Sequence, residues 1–267
     1  MLKFISLSSG SSGNCALLFD DDDVIMIDAG VGIRCIKRRA EEFGVPMSRL
    51  RCVLVTHDHA DHVKAVGGVS VAYGVPVYAT RSVHEGIERN VCVKKKIPAA
   101  SVRTIEKGVS MQIGGLRITP FDVPHDSADN VGYMIECGGV TFCLITDVGH
   151  VTDVIREMIG RANYLVFESN HDEALLDAGP YPAYLKQRIA GGYGHISNRL
   201  CGETLAACVT WRLRHVWLCH LSAENNSPEI ARDTVTAILA ARGIAVGSDF
   251  TLDVLLRRRP SGVYEMR

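Results

Sequence analysis

The stretch Val53-Leu-Val-Thr-His-Asp-His-Ala-Asp-His-Val63 decides how this chain folds. Its β-branched apolar start predicts a buried strand, and Thr56 ends that strand ahead of three imidazoles and two carboxylates within six residues. A segment this polar cannot pack in a core. Because imidazole is the commonest metal ligand in proteins, the pattern predicts a metal site in preference to a solvated loop with incidental histidines.

The spacing inside this segment indicates two ions. Alternate side chains of an extended backbone share a face, so His57 and His59 are able to bind one ion together. Asp61 and His62 come where the chain turns into a helix, and their side chains therefore point elsewhere. Imidazole and carboxylate ligands suit Zn, Mn or Fe, and the sequence leaves the choice among these metals open.

The composition is that of a globular protein with a sizeable core. Of the 267 residues, 47% are hydrophobic, and no apolar run approaches the roughly 18 residues of a membrane span. The N-terminus enters a strand pattern without the apolar region of a signal peptide, so we expect a cytoplasmic protein with no membrane partner. The nine cysteines are scattered without CxxC spacing, which predicts reduced thiols and no second metal site.

The distribution of charge allows a polyanionic partner without identifying one. The formal net charge of −1 gives no global attraction to nucleic acid. Three local clusters are basic, although such a run is in most proteins a solvated face. These clusters are Arg34 with Lys37, Arg38 and Arg39, then Lys94 to Lys96, and finally Arg257 to Arg259.

Strand and helix patterns alternate along the whole chain. A β-meander over residues 2–27 comes first, and the main helices are predicted at residues 33–43, 62–73, 152–159, 183–190, 198–212 and 228–242. Meander strands and βα units recur in both halves, with no linker or low-complexity segment between them. We therefore predict an α+β fold of a single domain over residues 1–267, in which two sheets pack face to face with helices outside.

Further candidate ligands come directly after apolar strands. His125, Asp147 and His220 each follow such a strand, as His57 does, and strand ends are where a rigid scaffold brings ligands together from distant parts of a sequence. One residue of this kind is in most cases an ordinary core or surface residue. Because three such residues accompany the HDHADH segment, we predict that they share its metal site.

The order of these motifs resembles a known superfamily. Asp28, HDHADH at residues 57–62, His125, Asp147 and His220 follow the five motifs of the metallo-β-lactamase superfamily, whose fold is a four-layer αββα sandwich. SLSSGSSGN, FESNHD, GHISN and HLSAENN further resemble the YycJ (WalJ) family of metallo-hydrolases, whose members are described as 5′ to 3′ DNA exonucleases. The resemblance covers nearly the whole chain and is more specific for the fold and the metals than for the substrate.

The resemblance implies a ligand set. One ion takes His57, His59 and His125, the other takes Asp61, His62 and His220, Asp147 bridges the two, and Asp28 supports the site from behind the ligands. Two such divalent ions are able to activate water and to stabilise both the attacking and the leaving oxygen of a phosphoryl displacement. Asp61 is therefore also expected among the catalytic residues.

The resemblance also implies a proton donor. His195 stands before a serine at a helix start, as in the tRNase Z enzymes, which makes it the expected general acid for the leaving alkoxide. Glu168, at the end of a preceding strand, is expected to orient it. The alternative for His195 is a helix-capping residue that is hydrogen-bonded to backbone.

Several residues are expected to contact the substrate. The loop Ser8-Ser-Gly-Ser-Ser-Gly-Asn14 is either a flexible turn or an anion-binding nest of free backbone N–H groups and hydroxyls. Its match to the family favours contact with a phosphate, and the same argument applies to the polar residues of the FESNHD, GHISN and HLSAENN segments. The expected contacts are Ser11, Ser12, Asn14, His171, Ser197, Asn225 and Asn226.

The predicted function is that of a metal-dependent 5′ to 3′ DNA exonuclease, with nucleic acid as its partner and the oligomeric state left open. Alternatives are an RNase, a small phosphodiesterase, or a glyoxalase II-like thioester hydrolase, the last of which needs no equivalent of GHIS. Asp147 disfavours a β-lactamase, because those enzymes usually have Cys or His there. Only 21 residues separate His125 from Asp147 and 72 separate Asp147 from His220, which excludes a β-CASP insertion. A di-iron redox protein is disfavoured because the chain has no room for a fused flavin domain.

Overall fold

The computed structural model describes residues 1–267 and contains 14 strands and nine α-helices. The strands are β1 (Lys3–Ser8), β2 (Cys15–Phe19), β3 (Val24–Ile27), β4 (Leu50–Leu54), β5 (Val77–Ala79), β6 (Val102–Thr104), β7 (Met111–Ile113), β8 (Leu116–Asp122), β9 (Val131–Cys137), β10 (Val140–Ile145), β11 (Tyr164–Glu168), β12 (His215–Cys219), β13 (Thr251–Val254) and β14 (Tyr264–Glu265). The helices are α1 (Ile33–Glu42), α2 (Ala60–Val63), α3 (Val66–Tyr73), α4 (Arg81–Arg89), α5 (Asp153–Arg161), α6 (Glu173–Ala178), α7 (Ala183–Ala190), α8 (Asn198–Cys208) and α9 (Pro228–Ala241).

The strands form two seven-stranded mixed sheets. One sheet has the order β14-β1-β2-β3-β4-β5-β6 and the other has the order β13-β12-β11-β10-β9-β8-β7. In each sheet an antiparallel meander adjoins a parallel half, which runs from β3 to β6 in the first sheet and from β10 to β13 in the second. Because parallel strands all point the same way, the residues that follow them gather at one edge of their sheet.

Three apolar layers hold the sheets and helices together. The middle layer lies between the sheets, where the ring of Phe4 packs 5.2 Å from that of Phe142 and 4.6 Å from that of Trp217, measured between centroids. The outer layers pack α1, α3 and α4 on the first sheet, and α5, α8 and α9 on the second. The predicted four-layer αββα sandwich is confirmed. The middle layer, to which both sheets contribute, supports the single-domain interpretation, which stays a prediction.

The predicted helix over residues 62–73 is wrong in one respect, because the structure divides it into α2 and α3. The division comes from the chain that follows β3. The Ala29 N–H donates to the His62 carbonyl at 2.7 Å, and the Ala65 N–H donates to the Ala29 carbonyl at 2.8 Å. These long-range bonds use backbone groups that a continuous helix would have paired internally, so the helix is interrupted between α2 and α3.

Two further differences concern the end of α8 and the presence of α6. The helix predicted to run to residue 212 ends at Cys208, although its predicted N-cap is confirmed, since the Ser197 hydroxyl accepts from the Leu200 N–H. Helix α6 is not among the predicted helices. Its start carries a local signal, because the Asp172 side chain accepts from the Leu175 N–H as an N-cap.

Two compositional expectations can be compared with the structure. No helix combines the length and the hydropathy that a membrane-spanning segment needs. All nine cysteines are free thiols, as predicted, and five of them are buried. Cys92 differs from the expectation of burial because it is exposed.

Candidate metal centre

Residues that follow the strands build the candidate site, and three of them have unusual backbone geometry. Asp28, Asp147 and His220 come directly or almost directly after β3, β10 and β12, with φ angles of 59°, 57° and 56°. They are the non-glycine residues of the chain with positive φ. Because this conformation costs about 1–3 kcal/mol for a non-glycine residue, it persists only where the surroundings enforce it, and it is typical of functional sites.

The structure brings the seven predicted ligands into two groups that share one carboxylate. In one group, the donor atoms of His57, His59 and His125 all lie within 4.8 Å of one another. In the other, the same limit holds for Asp61, His62 and His220. Asp147 lies between the two groups, since it also clusters with His57 and His62 on one side and with His220 on the other.

Three of the histidines are oriented so that one ring nitrogen faces the centre without a partner. Their Nδ1 atoms are hydrogen-bonded to groups behind the ligands, and their Nε2 atoms are buried with no hydrogen-bond partner. The Nδ1 partners are the Thr56 hydroxyl for His57 at 3.0 Å, the Gly194 carbonyl for His125 at 3.0 Å, and the Glu168 carboxylate for His220 at 3.2 Å. Because buried polar atoms are normally paired, and because metal-bound imidazoles have this arrangement, these residues fit a divalent metal.

His59 is arranged differently from the other histidines. Its Nε2 atom lies 3.2 Å from the carbonyl oxygen of Asp126. The nitrogen that remains for a metal is therefore Nδ1. The carboxylate of Asp126 lies 3.3 Å from His125 Nε2 and accepts two hydrogen bonds from the Arg188 guanidinium. Sequence reasoning missed Asp126 and Arg188, although an acidic residue directly after His125 was an available signal.

Asp28 lies behind the ligands, as the resemblance implies. Its carboxylate is 2.7 Å from His62 Nδ1 and accepts from the backbone N–H of Thr56 at 2.8 Å. The Thr56 hydroxyl also bonds to this carboxylate, at 2.9 Å. A carboxylate on Nδ1 fixes the orientation of the imidazole and raises its basicity, which is the usual support for a metal-binding histidine. Thr56 is a second supporting residue that was not predicted.

Burial and mutual attraction set the protonation of the cluster. Burial alone would raise the pKa of Asp147, but the neighbouring His220 and His62 hold it well below its usual range. Burial alone would lower the pKa of His220, but Asp147, Asp61 and Glu168 raise it to about 10. His57 behaves in the opposite way, because burial and the nearby His62 lower its pKa well below the usual range.

We predict that metal affinity rises with pH. At neutral pH the metal-free His220 is protonated, because its pKa is raised to about 10. A metal ion must displace that proton, so affinity should gain up to about tenfold per pH unit for each proton displaced between pH 6 and 8. Calorimetric titration with Mn²⁺ in buffers of different ionisation enthalpy measures both the affinity and the released protons. Binding without proton release would contradict the assignment of His220 as a ligand.

Glu168 connects the predicted proton donor to the ligands. One oxygen, Oε1, lies 2.8 Å from His195 Nδ1 and 3.2 Å from His220 Nδ1, while the other accepts from the backbone N–H groups of Val148 and Ile196 at 2.7 and 3.3 Å. Burial alone would raise the pKa of Glu168, but His195 and His220 lower it to about 2. Sequence reasoning paired Glu168 with His195 and missed its contact with His220. The His195 side chain is 16% exposed, so it lies at the accessible rim of the centre.

Of the residues predicted to contact substrate, two are exposed, and the others are buried or hydrogen-bonded within the chain. Ser11 and Ser12 are exposed on their loop. Asn14 is buried: its Nδ2 lies 3.2 Å from Asp61 Oδ2 and 2.8 Å from His62 Nε2, and its Oδ1 accepts from the Gly10 N–H at 2.7 Å. Asn14 therefore faces the ligands, and its contact with a phosphate stays a prediction.

Asn225 and Asn226 are held by contacts within the chain, and their contact with substrate stays a prediction. The Asn226 amide donates to the carbonyls of Ser169 and Asn170 at 2.9 Å, and its oxygen accepts from Asn198 and from the Ser227 N–H. Asn225 is fully buried. Neither residue presents a free donor to solvent, because both are used to hold the loops after β11 and β12 together.

The last two predicted contacts lie behind the rim. Ser197 is buried, and in addition to its capping role its hydroxyl donates to Glu173 at 2.8 Å. His171 is buried with no partner for its Nδ1, and it lines a cavity of about 280 Å³ between α6 and α7. The hydroxyl of Ser197 is thus paired, whereas one ring nitrogen of His171 is unpaired.

A wide polar cleft gives access to the metal centre from one side. It has a volume of about 480 Å³, and its lining includes His59 and Asp61 from the centre and two arginines, Arg89 and Arg188. A cleft that joins cationic side chains to candidate metal ligands suits an anionic substrate.

Comparison with known proteins agrees with this geometry. The model of the β-lactamase superfamily domain matches residues 24–221. Exodeoxyribonuclease YycJ of Bacillus anthracis is 33% identical to the chain over 251 residues, which are 94% of this chain and 94% of the relative. Exodeoxyribonuclease WalJ of Streptococcus pneumoniae is 32% identical over 248 residues, which are 93% of this chain and 92% of the relative.

The fold is also found in solved structures. The zinc-bound crystal structure of PqqB from Methylobacterium extorquens superposes with a TM-score of 0.71 at 19% sequence identity, and the match covers 99% of this chain and 100% of that one. The similarity of PqqB extends to the fold alone. The chain is a metallo-hydrolase of the β-lactamase superfamily, and within that superfamily it belongs to the YycJ/WalJ family.

Proposed function

We propose that the protein is a two-metal phosphodiester hydrolase that removes nucleotides from the 5′ end of DNA. The observation that carries the proposal is the pair of three-residue donor groups that share Asp147, with the His195–Glu168 pair at their rim. Relatives at 33% and 32% identity are named exodeoxyribonucleases, which supports DNA as the substrate. Zn, Mn and Fe all suit the ligands, and the crystal structure of PqqB contains bound zinc.

The ligands divide between the two ions as their grouping suggests. His57, His59 and His125 would hold one ion, Asp61, His62 and His220 would hold the other, and Asp147 would contribute to both. Bound divalent ions supply activation of water at neutral pH and neutralisation of charge on the phosphate. Asp61 is the most accessible carboxylate of the set, with 23% of its side chain exposed, so it is suited to accept a hydrogen bond from the attacking water.

His195 is proposed to protonate the leaving oxygen. Its Nδ1 is engaged by the buried carboxylate of Glu168 at 2.8 Å, which leaves Nε2 as the atom that holds and delivers the proton. An alkoxide is a poor leaving group and needs that proton, whereas a thiolate does not. The His195–Glu168 pair therefore favours a phosphodiester substrate over a thioester.

Purified protein loaded with Mn²⁺ or Zn²⁺ tests the proposal on end-labelled single- and double-stranded DNA and RNA, with a thioester in parallel. We expect 5′-labelled DNA to release labelled mononucleotide from the earliest time points, before shorter fragments accumulate. Cleavage of RNA alone would redirect the proposal to an RNase. Hydrolysis of the thioester alone would overturn it.

Glu168→Gln is expected to lower kcat/KM on DNA by about 10- to 100-fold, the usual effect of removing a supporting carboxylate. The substitution keeps the shape but removes the negative charge that His195 and His220 share. Rates should be measured over pH together with metal content, because loss of a positioning residue changes the pH profile while loss of a purely structural one does not. Glu203→Gln is the matched control, since Glu203 lies on α8 and contacts Arg199. An unchanged pH profile and rate would exclude the positioning role.

A further inference from the structure

The chain after β13 forms a cationic groove beside the Ser8–Asn14 loop. A cavity of about 510 Å³, here named the arginine groove, is lined by Arg257, Arg258 and Arg259 together with Ala223 and Leu256. A smaller cavity of about 250 Å³ shares Ala223, Leu256 and Arg257 with it. Neither cavity includes a metal ligand, and neither has a role in the proposed chemistry.

Arg257 is fixed against the loop by contacts on its backbone and its side chain. The Ser8 hydroxyl donates to the Arg257 carbonyl at 2.6 Å, and the Ser9 N–H donates to the Leu256 carbonyl at 3.2 Å. Gly10 has a φ of 143°, and a Cβ there would lie 3.0 Å from Arg257 Cγ. The glycine therefore lets the arginine side chain lie flat across the loop.

The guanidinium of Arg257 lacks a partner that neutralises it. Its Nε atom is buried without a hydrogen-bond partner, and its contact with the chain is a 3.4 Å hydrogen bond from Nη2 to the Ser11 hydroxyl. Burial and the neighbouring Arg258 lower the pKa of Arg257, which is the direction expected for a cation without compensation. Glu224 is near enough to act on this charge but forms no ion pair with it.

The same loop touches the candidate metal centre. The Ser9 hydroxyl accepts from the His220 N–H at 3.0 Å, and the Gly10 N–H donates to Asn14, whose amide lies 3.2 Å from Asp61 Oδ2. An anion held by Arg257 and Ser11 is therefore separated from two metal ligands by the width of one loop.

Two basic clusters that are distant in sequence meet at this groove. Arg39 of α1 donates to the Leu7 carbonyl at 2.6 Å and also to the Arg258 carbonyl. Arg34, Lys37 and Arg38 are exposed on the same helix as Arg39. Positive charge thus extends outward from the loop, as the backbone of a polynucleotide requires.

We propose that Arg257 and Ser11 form a subsite for the 5′-terminal phosphate of the DNA strand. The inference rests on the proposed nuclease function and adds the group that marks the end of the substrate. A terminal phosphomonoester carries about −1.5 to −2 charges at pH 7, compared with −1 for an internal diester, so a fixed and unpaired arginine next to Arg258 binds it more strongly. Recognition of that group would place the first diester of the strand at the metals.

The test compares two otherwise identical DNA oligonucleotides, one with a 5′-phosphate and one with a 5′-hydroxyl. For the metal-loaded protein, kcat/KM should favour the phosphorylated strand by roughly 10- to 100-fold, the worth of one charge-assisted hydrogen bond. In Arg257→Gln this ratio should fall to about one, and in Arg257→Lys it should be partly restored. Because the ratio compares two substrates in one preparation, it does not depend on the fraction of folded enzyme.

The control is Arg242→Gln, at the end of α9, where the ratio should stay at its original value. Equal rates on both strands with the unmodified protein would overturn the subsite while leaving the nuclease proposal intact, and so would a preference that survives Arg257→Gln. Failure to cleave either strand would instead overturn the proposed function.

Discussion

Asp147→Asn is expected to lower kcat on DNA by roughly 10³-fold or more. Asp147 is the carboxylate that clusters with members of both donor groups, and it is 2% exposed. The substitution removes its charge while keeping its shape. Asparagine also tolerates the left-handed backbone that Asp147 adopts at a φ of 57°, so the fold should be retained.

The expected mechanism of this loss is weaker metal binding at both positions. With Asp147 neutral, charge is lost from the two oxygens that face the ligands, Oδ2 at 3.3 Å from His62 Nε2 and Oδ1 at 3.5 Å from His220 Nε2. Two bound ions would then lack the shared anion that offsets their mutual repulsion. Metal content after dialysis and circular dichroism should be measured beside the rate. Asp233→Asn, on the exposed face of α9, is the matched control. A folded Asp147→Asn protein with two ions and normal activity would refute the shared-ligand assignment.

The features that the sequence predicted are those that depend on local pattern. Apolar runs followed at once by polar residues placed His57, Asp147 and His220 just beyond strand ends, because the apolar pattern of a strand stops where the chain leaves the sheet. Since parallel strands deliver their ends to one edge, the convergence of those residues also followed. The N-cap of α8 at Ser197 could be predicted for a similar reason, because capping involves only a few consecutive residues.

The features that escaped prediction depend on contacts between distant residues. The amide of Asn226 donates hydrogen bonds to the chain after β11, and these partners could not be seen in HLSAENN itself. The break between α2 and α3 comes from Ala29, more than thirty positions earlier. Likewise, the meeting of Arg39 with Arg258 joins two basic clusters that are 219 positions apart. In each case the role of the residue depends on its partner in space, which the local sequence pattern does not reveal.

His195→Ala is expected to keep both metals and most of the affinity for DNA, while kcat falls by about two to four orders of magnitude. The ring is hydrogen-bonded to Glu168, with Nδ1 at 2.8 Å from its carboxylate and 3.8 Å from Asp147. It clusters with Asp147, Glu168 and His220 but belongs to neither of the two three-residue groups assigned as metal ligands. Loss of the ring should therefore remove the proton donor for the leaving oxygen, while both metal positions stay occupied.

The nature of the leaving group separates this role from a structural one. A nitrophenyl phosphodiester releases a weakly basic phenolate that needs no proton, so its hydrolysis by His195→Ala should be nearly normal while DNA cleavage is slow. His84→Ala is the control for loss of an imidazole elsewhere, since His84 bonds to the Arg103 carbonyl on another part of the surface. An equal loss on both substrates would mean that His195 binds the phosphate or supports the fold. No loss on DNA would mean that His195 is only a residue at a helix start that is held by Glu168. Removal of a residue that protonates an alkoxide leaving group must slow the departure of that group.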